Sequence, residues 1–180
     1  MSRITAIDPT SSSGHVRELL DGVQKGLGAT PNLFRTAARS PATLEGMVAL
    51  FGAAGKGKLG ARYQEAIALT VSELNRCDYC LSAHSVLGKR AGLDDEALAR
   101  AREGTAKEPR LAAAVRFARA VAEKRGRVTD EDVAEVRKAG LGDDEILEVI
   151  TNVALTTFTN YLNEVAATEI DFPVVHHHPR

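Results

Sequence analysis

The residues that could do chemistry lie within one short segment, Cys77-Asp78-Tyr79-Cys80-Leu81-Ser82-Ala83-His84. Its two cysteines are the only ones in the chain. The pair Asn75-Arg76 breaks one helix, and the spacing predicts a new helix beginning near Cys77. On that helix Cys77 and Cys80 lie one turn apart, and His84 lies four residues after Cys80, so the three form one stripe. A thiolate, not a thiol, is the nucleophile. The positive end of the helix dipole favours an anion in the first turn. A histidine one turn on can take the thiol proton or pair with the thiolate as imidazolium. A second thiol in reach can condense with an oxidised sulfur to close a disulfide. These are the parts of a dithiol redox site.

Other readings use the same residues. Two cysteines can be small core hydrophobes. Cys-x-x-Cys with a histidine supplies three zinc donors, but a structural site needs a fourth and usually sits in a small loop-rich module. Haem attachment requires His directly after the second cysteine, where Leu81 stands. A thioredoxin-type site requires strands, for which there is no signal.

The elements that must position this segment are helices. Aromatics make up 4% of the 180 residues, Trp is absent, and strand-forming residues are sparse. Tyr63, Ala66, Ile67, Thr70, Val71 and Leu74 fall on one helical stripe. Leu111, Ala114, Val115, Ala118 and Val121 fall on another. Ser40-Pro41 reads as an N-cap with Pro at the first helical position. Thr129 and Asp132 resemble a capping box. Gly92, Gly104, Gly126 and Gly140 mark C-terminal stops. The expected helices span about 14–27, 32–39, 41–55, 60–75, 78–91, 94–103, 109–125, 130–139 and 143–168. The last is apolar over most of its circumference, which predicts a central core helix, partly shared with another subunit. The joint Ala91-Gly92-Leu93-Asp94-Asp95-Glu96 is echoed at Ala139 to Glu145, by duplication or by independent use of one good turn. Gly52 to Lys58 mimics a phosphate loop, but Leu59 stands where a hydroxyl is needed and no strand precedes it, so it reads as an interhelical loop. The tail 174–180, with His176, His177 and His178, reads as a disordered terminus without function.

Composition narrows the function. The net charge of −1 argues against nucleic-acid or anionic-membrane partners. No apolar run approaches the ~18 to 20 residues of a membrane span. Met1 to Thr10 has no apolar core of a signal peptide. A chain of this length buries roughly 70% of its unfolded surface without disulfides or metal. Thiols that must be re-reduced point to the cytoplasm.

The segment from Glu65 to His84 resembles the core of the alkyl hydroperoxidase D family, within the carboxymuconolactone decarboxylase-like superfamily. The shared pattern is a Glu twelve residues before Cys-x-x-Cys and a His four after it. Gly28-Ala29-Thr30-Pro31-Asn32-Leu33-Phe34, Ser40-Pro41 and Phe158-Thr159-Asn160-Tyr161 are similar to an uncharacterised peroxidase-related branch. The likeness runs from about Ile4 to Pro173. It implies an all-α, single-domain helical bundle over 1–173, forming homo-oligomers, with a trimer or hexamer ahead of a dimer. It implies that Cys80 attacks a hydroperoxide, that Cys77 resolves it, and that His84 and Glu65 relay protons. It also implies no bound cofactor and an external lipoyl-type dithiol, free or on a reductant protein. One departure is Tyr79, which replaces a relay histidine. Along a straight helix Glu65 would lie ~18 Å from Cys77, so its role demands a chain reversal near Asn75; Glu73 is the rival carboxylate. The expected function is thiol-dependent reduction of small hydroperoxides. The alternatives are a dithiol–disulfide oxidoreductase or redox sensor, a decarboxylase-like lyase, and a zinc-binding or scaffolding module.

Overall fold

A computed structural model describes residues 2–179; Met1 and Arg180, the ends of the expected domain and tail, lie outside the described residues. Among the described residues there are nine α-helices, one short 3-10 turn and no strand. The helices are α1 (Gly14–Leu27), α2 (Asn32–Ala37), α3 (Pro41–Ala54), α4 (Gly60–Leu74), α5 (Asp78–Arg90), α6 (Asp95–Arg102), α7 (Pro109–Glu123), α8 (Asp130–Lys138) and α9 (Asp143–Ala166).

Local signals explain the boundaries. Ser40 Oγ accepts from the Thr43 N–H at the start of α3. Thr129 and Asp132 close a reciprocal capping box at α8. Gly92 and Gly140 take positive φ, 87° and 91°, and each hands on to a buried leucine, Leu93 or Leu141. The two echoed joints therefore have one conformation, which a residue with a Cβ adopts only at a cost.

The central helix is α4, not α9. It packs on α5, α6, α7 and α9. Ala66, Ile67, Leu69, Val71 and Ser72 are all sealed from solvent. The expectation that α9 is core on most sides needs correction. Val149, Val153 and Leu155 are buried, but Leu147, Tyr161 and Val165 remain 63%, 60% and 64% exposed. Within one chain α9 is covered on the faces turned to α4, α7, α2, α3 and α5, and the remaining stripe is open. Glu148 of α9 also caps α4: its carboxylate accepts from the backbone N–H groups of Lys58 and Leu59 at 3.0 and 2.9 Å. The phosphate-loop mimic is thus filled by the protein's own carboxylate.

Two apolar clusters form. The larger joins α4, α5 (through Leu81), α6, α7, α8 and α9. The smaller joins α1, α2, α3 and the start of α5, and it contains Cys77, Tyr79 and Cys80. The tail departs from the disordered expectation over its described residues. The Val175 N–H donates to Ser82 Oγ, the His177 N–H to Asp78 Oδ1 and the His178 N–H to Glu73 Oε1. His176 and His177 also place Nδ1 at 2.7 Å from the Asp78 carboxylate. Two carboxylates and a hydroxyl at the α4–α5 corner accept from the tail in place of water.

Candidate active site

The reversal that Glu65 demands is present. α4 ends at Leu74, α5 begins at Asp78, and the two pack against each other. The turn is tight enough that Arg76 takes a left-handed φ of 58°, at a cost of about 1 kcal/mol. The Cys77 N–H donates back to the Ser72 carbonyl at 3.0 Å. Asn75 Nδ2 donates to Asn160 Oδ1 at 2.9 Å, tying the corner to α9.

Glu65 Oε2 then lies 2.7 Å from His84 Nδ1. Both side chains are largely buried. Glu73, the rival, is occupied elsewhere: it pairs with Arg102 Nε at 2.7 Å and accepts from the tail. Of the two carboxylates, the structure brings only Glu65 to the histidine.

Cys77 is placed slightly differently from the one-stripe expectation. It is the N-cap of α5, with extended backbone, and its Sγ accepts from the Cys80 N–H at 3.4 Å. Cys80 sits in the first turn. Both thiols are free and buried, Cys77 fully and Cys80 to 2% exposure.

The electrostatics separate the two sulfurs. Burial alone would push the Cys80 thiol up. A hydrogen bond from Cys77, the charge of His84 and the amides of Asn163 and Asn160 outweigh it, and its pKa falls from 9.0 to about 7. Cys77 moves the other way, well above the usual thiol range. Its hydrogen bond to Cys80 and its burial hold the proton on, and the Cys80 N–H only partly opposes them. The shared proton therefore stays on Cys77 and the negative charge on Cys80. For His84, burial disfavours the imidazolium, but the charge and hydrogen bond of Glu65 overcome it, so its pKa is raised. Each shift favours the charged form, thiolate for Cys80 and imidazolium for His84.

Tyr79 does not stand in for a relay. Its hydroxyl accepts from the Leu33 N–H at 3.0 Å, at the start of α2, and its ring meets Phe172 edge-on. Burial chiefly drives its pKa above the usual phenol range. Tyr79 is a strut.

Sequence reasoning missed the amides of α9. Asn163 Nδ2 lies 3.3 Å from Cys80 Sγ, and Asn160 Nδ2 donates to Ser72 Oγ at 3.1 Å. Both asparagines are buried. The available signal was polar residues at helical spacing on the core-facing side of an otherwise apolar helix.

A cavity of about 60 Å3 opens beside the relay pair, lined by Glu65 and His84 with Phe51, Ala54, Leu155 and Thr159 among its walls. A larger one, about 150 Å3, lies between α7 and α8 and touches none of the four site residues. No three His, Cys, Asp or Glu side chains among the described residues converge to hold a metal. No helix among the described residues is long and apolar enough to cross a membrane.

Residues 41–124 match the model of the carboxymuconolactone decarboxylase family. No curated protein matches the chain. Solved structures match along nearly its full length. An alkylhydroperoxidase AhpD core, an uncharacterized peroxidase-related protein from Ralstonia eutropha JMP134, superposes with a TM-score of 0.85 at 22% identity, covering 94% of this chain and 92% of that one. An uncharacterized peroxidase-related protein from Silicibacter sp. TM1040 gives 0.79 at 21% identity, covering 92% and 91%. The debrominase Bmp8 gives 0.80 at 22% identity, covering 93% and 91%. At these identities the likeness shows a shared fold.

Proposed function

We propose that the chain is a thiol-dependent peroxidase of the carboxymuconolactone decarboxylase-like superfamily, whose family model matches residues 41–124, and that it acts on small hydroperoxides through Cys80 and Cys77. The observation that carries this reading is the Glu65–His84 pair at 2.7 Å, one helical turn beyond a buried cysteine whose pKa is lowered to about 7.

The Cys80 thiolate attacks the terminal oxygen of ROOH. The O–O bond breaks, sulfur is oxidised to the sulfenic acid, and the leaving alkoxide takes a proton from the His84 imidazolium. Glu65 holds that imidazolium in place and favours its charge. The Cys77 thiol then attacks the sulfenic sulfur, and the disulfide forms with loss of water. An external dithiol, lipoyl-type by resemblance, returns both thiols by exchange and leaves as its own disulfide. The sum is ROOH plus a dithiol giving ROH, water and a disulfide. No bound cofactor enters any step.

The cavity lies on the His84 side of the site and does not itself touch Cys80, so it bears on substrate size through the relay pair. About 60 Å3 is the room of roughly two waters. That suits hydrogen peroxide or a short alkyl hydroperoxide, its carbon end against Phe51, Ala54 and Leu155. The near-complete burial of Cys80 also favours a small oxidant over a protein disulfide.

We further propose that the exposed face of α9 is where copies of the chain meet. Leu147, Ile150, Ala154, Phe158, Tyr161 and Val165 make a stripe about 27 Å long, long enough to seat a second copy of the same helix.

The test is peroxide consumption with excess small dithiol. Cys80→Ser should reduce turnover to background, and undiminished turnover would remove the assignment. Faster reaction with disulfides than with peroxides would favour a dithiol–disulfide oxidoreductase. Debromination of a brominated pyrrole would favour chemistry like that named for Bmp8. Activity surviving thiol alkylation would favour a lyase.

A further inference from the structure

Asn163 makes a contact to the reacting sulfur that the peroxidase reading does not use. Its Nδ2 lies 3.3 Å from Cys80 Sγ, while its Oδ1 is buried with no hydrogen-bond partner. The whole side chain is 2% exposed. Leaving a buried amide oxygen without a donor is costly, so its persistence beside a nucleophile calls for a purpose. A thiolate only accepts, which sets the amide with its nitrogen toward the sulfur. The oxygen, unpaired within the protein, then sits on the same amide group as the nitrogen that meets Sγ.

We propose that Asn163 is a positioning residue for two successive states of Cys80: its NH2 holds the thiolate, and its Oδ1 accepts the hydroxyl proton of the sulfenic acid. This rests on the peroxidase reading for its second half only. When Cys80 becomes S–OH, the sulfur loses its charge and gains a donor. An amide beside it satisfies each form in turn, with little movement of α9. Asn160, one turn earlier, is braced by Ser72 and Asn75 and keeps this stretch of α9 seated on the α4–α5 corner. The other titratable groups around Cys80 are Cys77, Tyr79 and His84 on the same element, Glu65 on α4 and Glu164 on α9.

Two substitutions separate the halves. Asn163→Leu removes donor and acceptor; Asn163→Asp removes the donor and keeps an oxygen. Thiolate absorbance followed against pH on the reduced protein reads the first half. Both variants should raise the Cys80 midpoint by about one pH unit, equivalent to tenfold less thiolate at the old midpoint. An unchanged midpoint in two folded variants would overturn it. The second half is read in Cys77→Ser, oxidised with hydrogen peroxide, as the lifetime of the sulfenic acid captured by a dione probe. Asn163→Leu should shorten it several-fold and Asn163→Asp should not. Equal lifetimes in all three would overturn it. Neither readout requires peroxidase turnover. A wild type that fails to consume peroxide catalytically would remove the peroxidase reading and leave the thiolate measurement to decide Asn163.

Discussion

Glu65 and His84 lie nineteen residues apart in sequence and 2.7 Å apart in space. They meet because α4 and α5 run antiparallel about a corner held by the left-handed Arg76. The carboxylate keeps the imidazole charged against its burial, and that charge in turn favours the Cys80 thiolate.

A pH profile follows from the two shifts. Activity should rise as Cys80 ionises near pH 7 and fall once His84, whose pKa is raised, loses its proton. Glu65→Gln removes the charge that raises His84. The alkaline limb should then move to lower pH, the acid limb to higher pH, and the maximum rate should drop on the order of tenfold to a hundredfold. Peroxide turnover between pH 5 and 9 measures all three; a profile that keeps both limbs in place would show that Glu65 does not act through His84.

Much of this site could be read from local spacing. Cys77, Cys80 and His84 share one short segment, and the helix limits were set by Ser40, Thr129, Gly92 and Gly140, whose capping effects act within a turn. Glu65 required one more inference, a reversal at Asn75. What escaped was non-local. Asn163 reaches Cys80 across eighty-three residues, and nothing in a helical pattern says which buried amide faces a sulfur. Apolarity around α9 predicts burial on most sides, but it does not say which side is covered within one chain and which is left open. The tail was missed because its partners, Asp78 and Glu73, are acceptors supplied by a corner that forms only on folding. The sequence marks Tyr79 as a departure from a relay histidine, but it carries no information on which way the phenol points.

The two cysteines should fail differently. Serine is a good N-cap, so Cys77→Ser should keep α5 intact. After peroxide it should hold one added oxygen on Cys80, whereas the wild type should lose two hydrogens. Intact-mass spectrometry reads both. Disulfide formation in the absence of Cys77 is impossible within one chain, so a two-hydrogen loss at monomer mass in the variant would mark a sulfenamide, and a disulfide would appear only at dimer mass.

Tyr79→Phe tests strut against relay. The phenylalanine leaves the Leu33 N–H buried without its acceptor, which should cost about 1 to 3 kcal/mol of stability. Peroxide turnover at pH 7 should stay within about twofold, since the hydroxyl is engaged at α2 and exchanges no proton near neutrality. A thermal melt and a rate on the same sample decide it: large loss of rate with an unchanged melt would return Tyr79 to the proton pathway.

The exposed stripe of α9 gives the last expectation. Tyr161 and Val165 are 60% and 64% exposed in the single chain, so charging them removes no intrachain packing. Tyr161→Glu with Val165→Glu should leave helical content and melting nearly unchanged at low concentration. If two copies of α9 pack along this face, four carboxylates would be brought together out of water, which is prohibitive without partners. Light scattering should then show an oligomer for the wild type and a monomer for the double variant. A wild type that is monomeric throughout, or a double variant that keeps the wild-type mass, would place the subunit contact elsewhere or remove it.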